Sequence, residues 1–141
     1  MKEILEVPKA LAEQMIDHCV DGKPNEACGI LAAKDGKVVE VFLMTNAARS
    51  PMRYALDASE QFRVYKTLDQ RGFDLGGVFH SHTHTEAFPS PTDVKLASED
   101  VPYVIVSLAT DPPSIRAFRI LKARWTDQDG DIQEVGVVIS G

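Results

Sequence analysis

Three of the four histidines stand at positions 80, 82 and 84, and an aspartate, Asp93, closes the segment Ser90-Pro91-Thr92-Asp93 shortly after them. Imidazole and carboxylate are the nitrogen and oxygen donors of zinc sites. Two histidines separated by one residue in an extended chain project to the same face, with Cα atoms roughly 6.6 Å apart, a span that two imidazoles can close onto one ion. His80, His82 and Asp93, completed by a water, would form an open tetrahedral zinc site of the catalytic kind, one ion per chain. A set of three histidines is the competing arrangement, since His84 shares the parity of His80 and His82. The polar, proline-containing run Thr83–Pro89 reads as a loop, so the period of two is expected to end near His82 and to leave His84 outside the ligands.

Each of these residues also has a purely structural reading. Ser90 with Asp93 forms a capping box, and Pro91 suits the first helical position, which by itself would account for Ser-Pro-Thr-Asp. The conjunction is harder to explain that way. His-x-His, seven residues and Ser-x-x-Asp should arise by chance on the order of once in two thousand sequences of this composition.

Positioning these side chains requires an ordered framework, and the sequence predicts one of alternating elements. Pro8–Val20 reads as a helix, with Leu11, Met15 and Cys19 recurring every fourth residue and Asp21-Gly22 and Pro24 ending it. Cys28–Ala33 and Val38–Met44 flank Lys34-Asp35-Gly36-Lys37, a strong hairpin signal. Asn46–Pro51 is a loop and Met52–Leu56 a short extended piece. Asp57-Ala-Ser-Glu60 has the form of a capping box opening a helix to about Arg71, which Gly72 stops. Leu75–Ser81, Pro102–Leu108, Ser114–Ala123 and Ile132–Ile139 are strand candidates, and Ser90–Asp93 starts a further helix. The pattern implies an α/β (α+β) chain with one mixed sheet and two or three packed helices.

The chain has 141 residues, 44% of them hydrophobic and 26% charged, which suits one globular domain over residues 1–141 without a disulfide framework. A net charge of −6 with scattered basic residues argues against nucleic-acid partners. No apolar run approaches the roughly 20 residues that span a bilayer, and the N-terminal residues lack a signal-peptide core, so no membrane partner and a cytoplasmic location are expected. Cys19 and Cys28 form no CxxC pair and read as buried small hydrophobes.

His80-Ser81-His82, seven residues, Ser90-x-x-Asp93 and an upstream acid, Glu26, resemble the motif of the JAMM/MPN+ (Mov34/MPN/PAD-1) zinc metalloproteases. Thr83 departs from the proline that many eukaryotic members carry after the second histidine. The wider wording, Glu26-Ala-Cys-Gly, Met44-Thr-Asn-Ala, Arg49-Ser-Pro and Thr85-Glu-Ala-Phe-Pro-Ser, resembles the bacterial Mec-type branch. The resemblance implies the MPN/JAB1, cytidine-deaminase-like fold. It also implies a peptidase that hydrolyses the bond joining the C-terminal Gly-Gly of a ubiquitin-like sulfur-carrier protein to an attached amino acid, cysteine in the best-known case, and so a place in cysteine biosynthesis.

On that resemblance, Glu26 would exchange protons with the attacking water and the leaving amine, and the Ser90 hydroxyl would help to stabilise the oxyanion. Arg49 and Arg53, after the first hairpin, are candidates to hold the carboxylate of the substrate. Cys28 beside Glu26 could suggest a thiol nucleophile, but no His–Cys spacing accompanies it. Two alternatives stay open: a peptidase acting on another ubiquitin-like conjugate, and an MPN-type binding module without catalysis. Modules of that second kind have usually lost metal ligands that are all present here.

Overall fold

The computed structural model describes residues 3–141. Its elements follow in the order β1 (Ile4–Pro8), α1 (Lys9–Asp21), β2 (Cys28–Lys34), β3 (Lys37–Met44), α2 (Ala58–Arg71), β4 (Asp74–His82), α3 (Pro91–Leu96), β5 (Tyr103–Ser107), β6 (Ser114–Leu121) and β7 (Asp131–Ser140). The seven strands form one mixed sheet in the order β1-β3-β2-β4-β5-β6-β7, which closes on itself through parallel pairing of β1 with β7. The expected mixed sheet is present, with three helices packed on it.

Most local signals act as their chemistry requires. Asp35 and Gly36 both have positive φ, 53° and 79°, so the β2–β3 hairpin turns through two left-handed residues, as Asp-Gly favours. Gly72 ends α2 at φ 68°, where a Cβ would be strained. Asp57 caps α2 by accepting from the Glu60 N–H at 3.0 Å.

Two details differ from the sequence reading. Residues 4–8 form a strand where the sequence pattern predicts none: Leu5 and Val7 are buried while Ile4 is exposed, a period of two too short to stand out. Pro8 therefore closes β1 and caps α1, which starts at Lys9. The α2 capping box is only half made, because the Glu60 carboxylate accepts instead from the Thr45 N–H at 2.7 Å and hydroxyl at 2.8 Å. Met52–Leu56, read as a short extended piece, pairs only through a single bridge between Leu56 and Asn46.

The sheet separates two environments. On one face α1 buries Ala12, Met15 and Cys19 against Leu31, Phe79 and Val104. On the other, α2 buries Val64 and Leu68 against Ile30 and Met44, and α3 buries Val94 against Val78 and Tyr103. Along β4, Phe79 faces α1 and Val78 faces α3, so period two sends His80 and His82 to the α3 side and Ser81 to the α1 side.

Candidate metal centre

β4 lies between β2 and β5, antiparallel to the first and parallel to the second. This central position buries His80 and His82 at the end of β4, at 1% and 4% exposure. β4 ends at His82, and His84 is exposed beyond it. Asp93 arrives from α3. The Ser90 hydroxyl accepts from the Asp93 N–H at 3.1 Å, and the Asp93 Oδ2 accepts from the Ser90 N–H at 2.9 Å. The box aims the carboxylate back at the strand, with Oδ1 3.2 Å from His80 Nε2 and Oδ2 2.9 Å from His82 Nε2.

The donor set fits a cation. His82 Nδ1 donates to the Glu86 carbonyl at 2.8 Å, which turns the Nε2 lone pair of neutral His82 inward. That Nε2 lies 3.2 Å from His80 Nε2 and faces the Asp93 carboxylate. With both rings in the Nδ1–H form, two Nε2 lone pairs and the Asp93 charge converge on one point. Edges of about 3.3 Å are what donors at zinc-like bond lengths span around a tetrahedron. His80, His82 and Asp93 are the group among the described residues that could hold a metal ion, and the three-histidine alternative is not formed.

Electrostatics follow from burial and from this carboxylate. Burial lowers the His80 pKa and favours its neutral form. His82 is also penalised by burial, yet hydrogen bonding to Asp93 and Glu86 raises it overall. Asp93 resists burial in the same way, held well below the usual carboxylate range by bonds from His80 and His82. Tyr54 stacks on the His80 ring at 4.4 Å between centroids and 22° between planes. Nothing in the sequence spacing pointed to Tyr54.

Glu26 joins this group through strand register. β2 pairs with β4 so that Cys28 lies opposite His80, and the same register continued two residues outward sets Glu26 opposite His82. The Ser81 N–H donates to the Ala27 carbonyl at 3.0 Å, and the Ala27 N–H donates to the Ser81 hydroxyl at 2.8 Å, which extends the pairing past the end of β2. Glu26 is 6% exposed, and its Oε1 has no hydrogen-bond partner. Burial, reinforced by the Asp93 charge and opposed by His82, raises the Glu26 pKa to about 7. Glu26, His82 and Ser90 border one cavity of about 130 Å³, walled also by Pro51, Met52 and His84.

The remaining candidates are placed differently. Arg49 is exposed, and Arg53 borders a separate cavity beside Gln61, Tyr65 and Glu99. Cys28 is fully buried, and burial pushes its thiol up to about 12, as it does that of Cys19, so neither is an activated nucleophile.

A family model described as the prokaryotic homologs of the JAB domain matches residues 8–121. The chain belongs to this JAB family. Its sequence is 39% identical over 136 residues to the CysO-cysteine peptidase of Mycobacterium tuberculosis, covering 93% of this chain and 92% of that protein. It is 35% identical over 116 residues to the probable TtuB-protein conjugate cleaving protease of Thermus thermophilus, covering 82% of this chain and 75% of that one. Among solved structures, a protein of Desulfitobacterium hafniense superposes with a TM-score of 0.83 at 32% identity, covering 97% of this chain and 92% of its own. A JAB1/MPN domain protein of Archaeoglobus fulgidus shares the JAB fold at a TM-score of 0.61 and 17% identity, over 95% and 99% of the two chains. The JAMM/MPN+ resemblance and its fold are thus borne out.

Proposed function

We propose that this JAB protein is a zinc peptidase that hydrolyses the bond between the C-terminal Gly-Gly of a small ubiquitin-like sulfur-carrier protein and an attached amino acid, cysteine first among them. The similarity to a CysO-cysteine peptidase over nearly the whole of both chains carries this reading. The converging His80, His82 and Asp93 donors support the zinc. The reading takes residues 1–141 as one domain acting in the cytoplasm; among the described residues no helix is long and apolar enough to cross a membrane.

A zinc ion held by His80, His82 and Asp93 supplies a Lewis acid and an acidified water. Glu26 does the proton work. As a carboxylate it takes a proton from the attacking water while the new C–O bond forms, then delivers it to the amine as the C–N bond breaks. Without a metal, burial and the Asp93 charge raise this carboxyl to about 7, and a cation bound beside it would draw it back toward the carboxylate that accepts the proton. The Ser90 hydroxyl oxygen accepts from the Asp93 N–H, so its own hydrogen is left to donate to the carbonyl oxygen in the cavity. Arg49 and Arg53 lie outside the lining of that cavity, where they would meet more distant parts of the substrate.

A second reading, cleavage of ubiquitin-like tags from other proteins, is supported by the similarity to the TtuB-conjugate protease. Both are tested by incubating the zinc-loaded protein with carrier–cysteine, carrier–other-residue and carrier–protein conjugates and weighing the products by mass spectrometry. Cleavage after Gly-Gly, abolished by a chelator and in Glu26→Gln with zinc still bound, is the expected result. No cleavage of any Gly-Gly extension at stoichiometric zinc would refute the function. Loss of zinc in Glu26→Gln would make Glu26 a ligand.

A further inference from the structure

Glu26 precedes β2, and its main chain is held from two sides. Its N–H donates to the Ser50 carbonyl at 2.9 Å, and its carbonyl accepts from the Asn46 carboxamide at 2.8 Å. Both partners belong to residues 46–56, the segment that also supplies the cavity walls Pro51 and Met52.

Asn46 organises that segment. Its Nδ2 donates to the Glu26 carbonyl and, at 3.1 Å, to the Arg53 carbonyl, with the Ser50 carbonyl at 3.5 Å. Its Oδ1 accepts from the Ala48 N–H at 2.9 Å and the Ala55 N–H at 3.0 Å. A primary amide has two N–H groups and two lone pairs, and here all four are used. Carbonyls on one side and N–H groups on the other fix which end of the amide is which. One side chain therefore sets both the fold of the wall and the placement of the residue that faces it.

We propose that Asn46 is a positioning residue for proton transfer: by holding the Glu26 main chain against segment 46–56 it sets where the Glu26 carboxylate stands over the metal-binding side chains. This rests on the reading of Glu26 as the proton carrier. The carboxylate itself has an oxygen without a partner, so its position depends on what holds its backbone. A displacement of about 1 Å at a reacting group can lower a rate by as much as a hundredfold.

Asn46→Asp is the informative variant. It keeps an acceptor for the Ala48 and Ala55 N–H groups but turns an oxygen, in place of the donor, toward the Glu26 and Arg53 carbonyls. With the conjugate cleaved fastest by the wild type, kcat should fall ten- to hundredfold at full zinc occupancy. Amide hydrogen exchange at residues 26 and 27, followed by NMR on the whole protein, should rise at least tenfold while that of Ile30 holds. Asp57→Ala, which loosens the α2 cap and touches nothing in the cavity, should leave kcat and both amides unchanged. Unaltered exchange at residue 26, or a rise in KM with wild-type kcat, would overturn the inference. Should Asn46→Asp fail to fold, Asn46→Gln, with the same amide one methylene farther out, is read by the same two outcomes. Glu26→Gln assayed in parallel separates the failures. If that variant keeps its turnover, the proton-carrier reading falls; if it loses turnover and Asn46→Asp keeps kcat, the positioning role alone falls.

Discussion

The hydroxyl of Ser81 accepts a hydrogen bond from the main-chain N–H of Ala27 at 2.8 Å, across a sequence separation of 54 residues. Ser81 lies between His80 and His82 but points to the opposite face of the sheet, beside Cys19 of α1. It therefore joins the strand that carries the histidines to the segment that carries Glu26 without entering the site. Replacing it by alanine leaves a buried N–H without a partner, a loss of about 1–3 kcal/mol. Ser81→Ala should melt about 3–9 °C below the wild type, by calorimetry. Zinc stoichiometry should be unchanged, since both imidazoles keep their places.

Asp93 combines two duties that one substitution can separate. Asn at this position still accepts from the Ser90 N–H, so α3 should form, but the negative charge facing His80 and His82 is lost. Zinc affinity of Asp93→Asn, measured by chelator competition, should fall more than the 10–100-fold typical of groups that merely orient a ligand. The zinc-dependent rise in melting temperature expected of the wild type should vanish with it. An unchanged zinc affinity would remove Asp93 from the ligand set.

Glu26 should cost stability in the metal-free protein. Its folded pKa of about 7 lies above the ordinary 4.5, so the folded chain keeps this proton to higher pH than the unfolded chain does. Stability from this group is therefore lost as pH rises from about 4.5 to about 7. Glutamine has no such proton. Metal-free Glu26→Gln should be more stable than the wild type at pH 8 by on the order of 2–3 kcal/mol, and the advantage should disappear near pH 4. Equal urea midpoints at pH 8 would contradict the burial of this carboxyl.

Gly29 tests how tightly β2 is seated three residues after Glu26. A Cβ there would lie 2.2 Å from the Phe42 carbonyl oxygen and 2.2 Å from Cε1 of Phe79, closer than atoms can approach. Gly29→Ala should lose about 3 kcal/mol, or about 6–12 °C in melting temperature.

The two thiols offer a test that needs no variant. Both are buried with pKa values near 12, so iodoacetamide should label neither until the chain unfolds, and activity should survive the reagent while a chelator abolishes it. Rapid alkylation of Cys28 with matching loss of turnover would bring back a cysteine mechanism.

Much of this molecule is written in short-range patterns. The type and spacing of His80, His82, Ser90 and Asp93 are local: period two in a strand sets the histidines side by side, and a capping box orients the aspartate. The Asp-Gly turn and Gly72 likewise mark their own positions through the backbone conformations they accept. Those features are decided by each residue and its near neighbours, so the sequence alone determines the candidate ligand set and most of the element order, β1 being too short for its period to stand out.

What only the tertiary structure decides depends on pairing between distant strands. The offset of β2 against β4 sets Glu26 opposite His82, and no periodicity within either segment encodes that offset. The stacking of Tyr54 on His80 and the four-way hydrogen bonding of Asn46 arise because segment 46–56 folds back over the start of β2. Arg53 is carried by the same fold-back to a different cavity from the one its chain position suggested. Hydrogen bonds across such separations form only once the sheet has assembled, and the placement of Glu26 beside His82 is a property of that assembly.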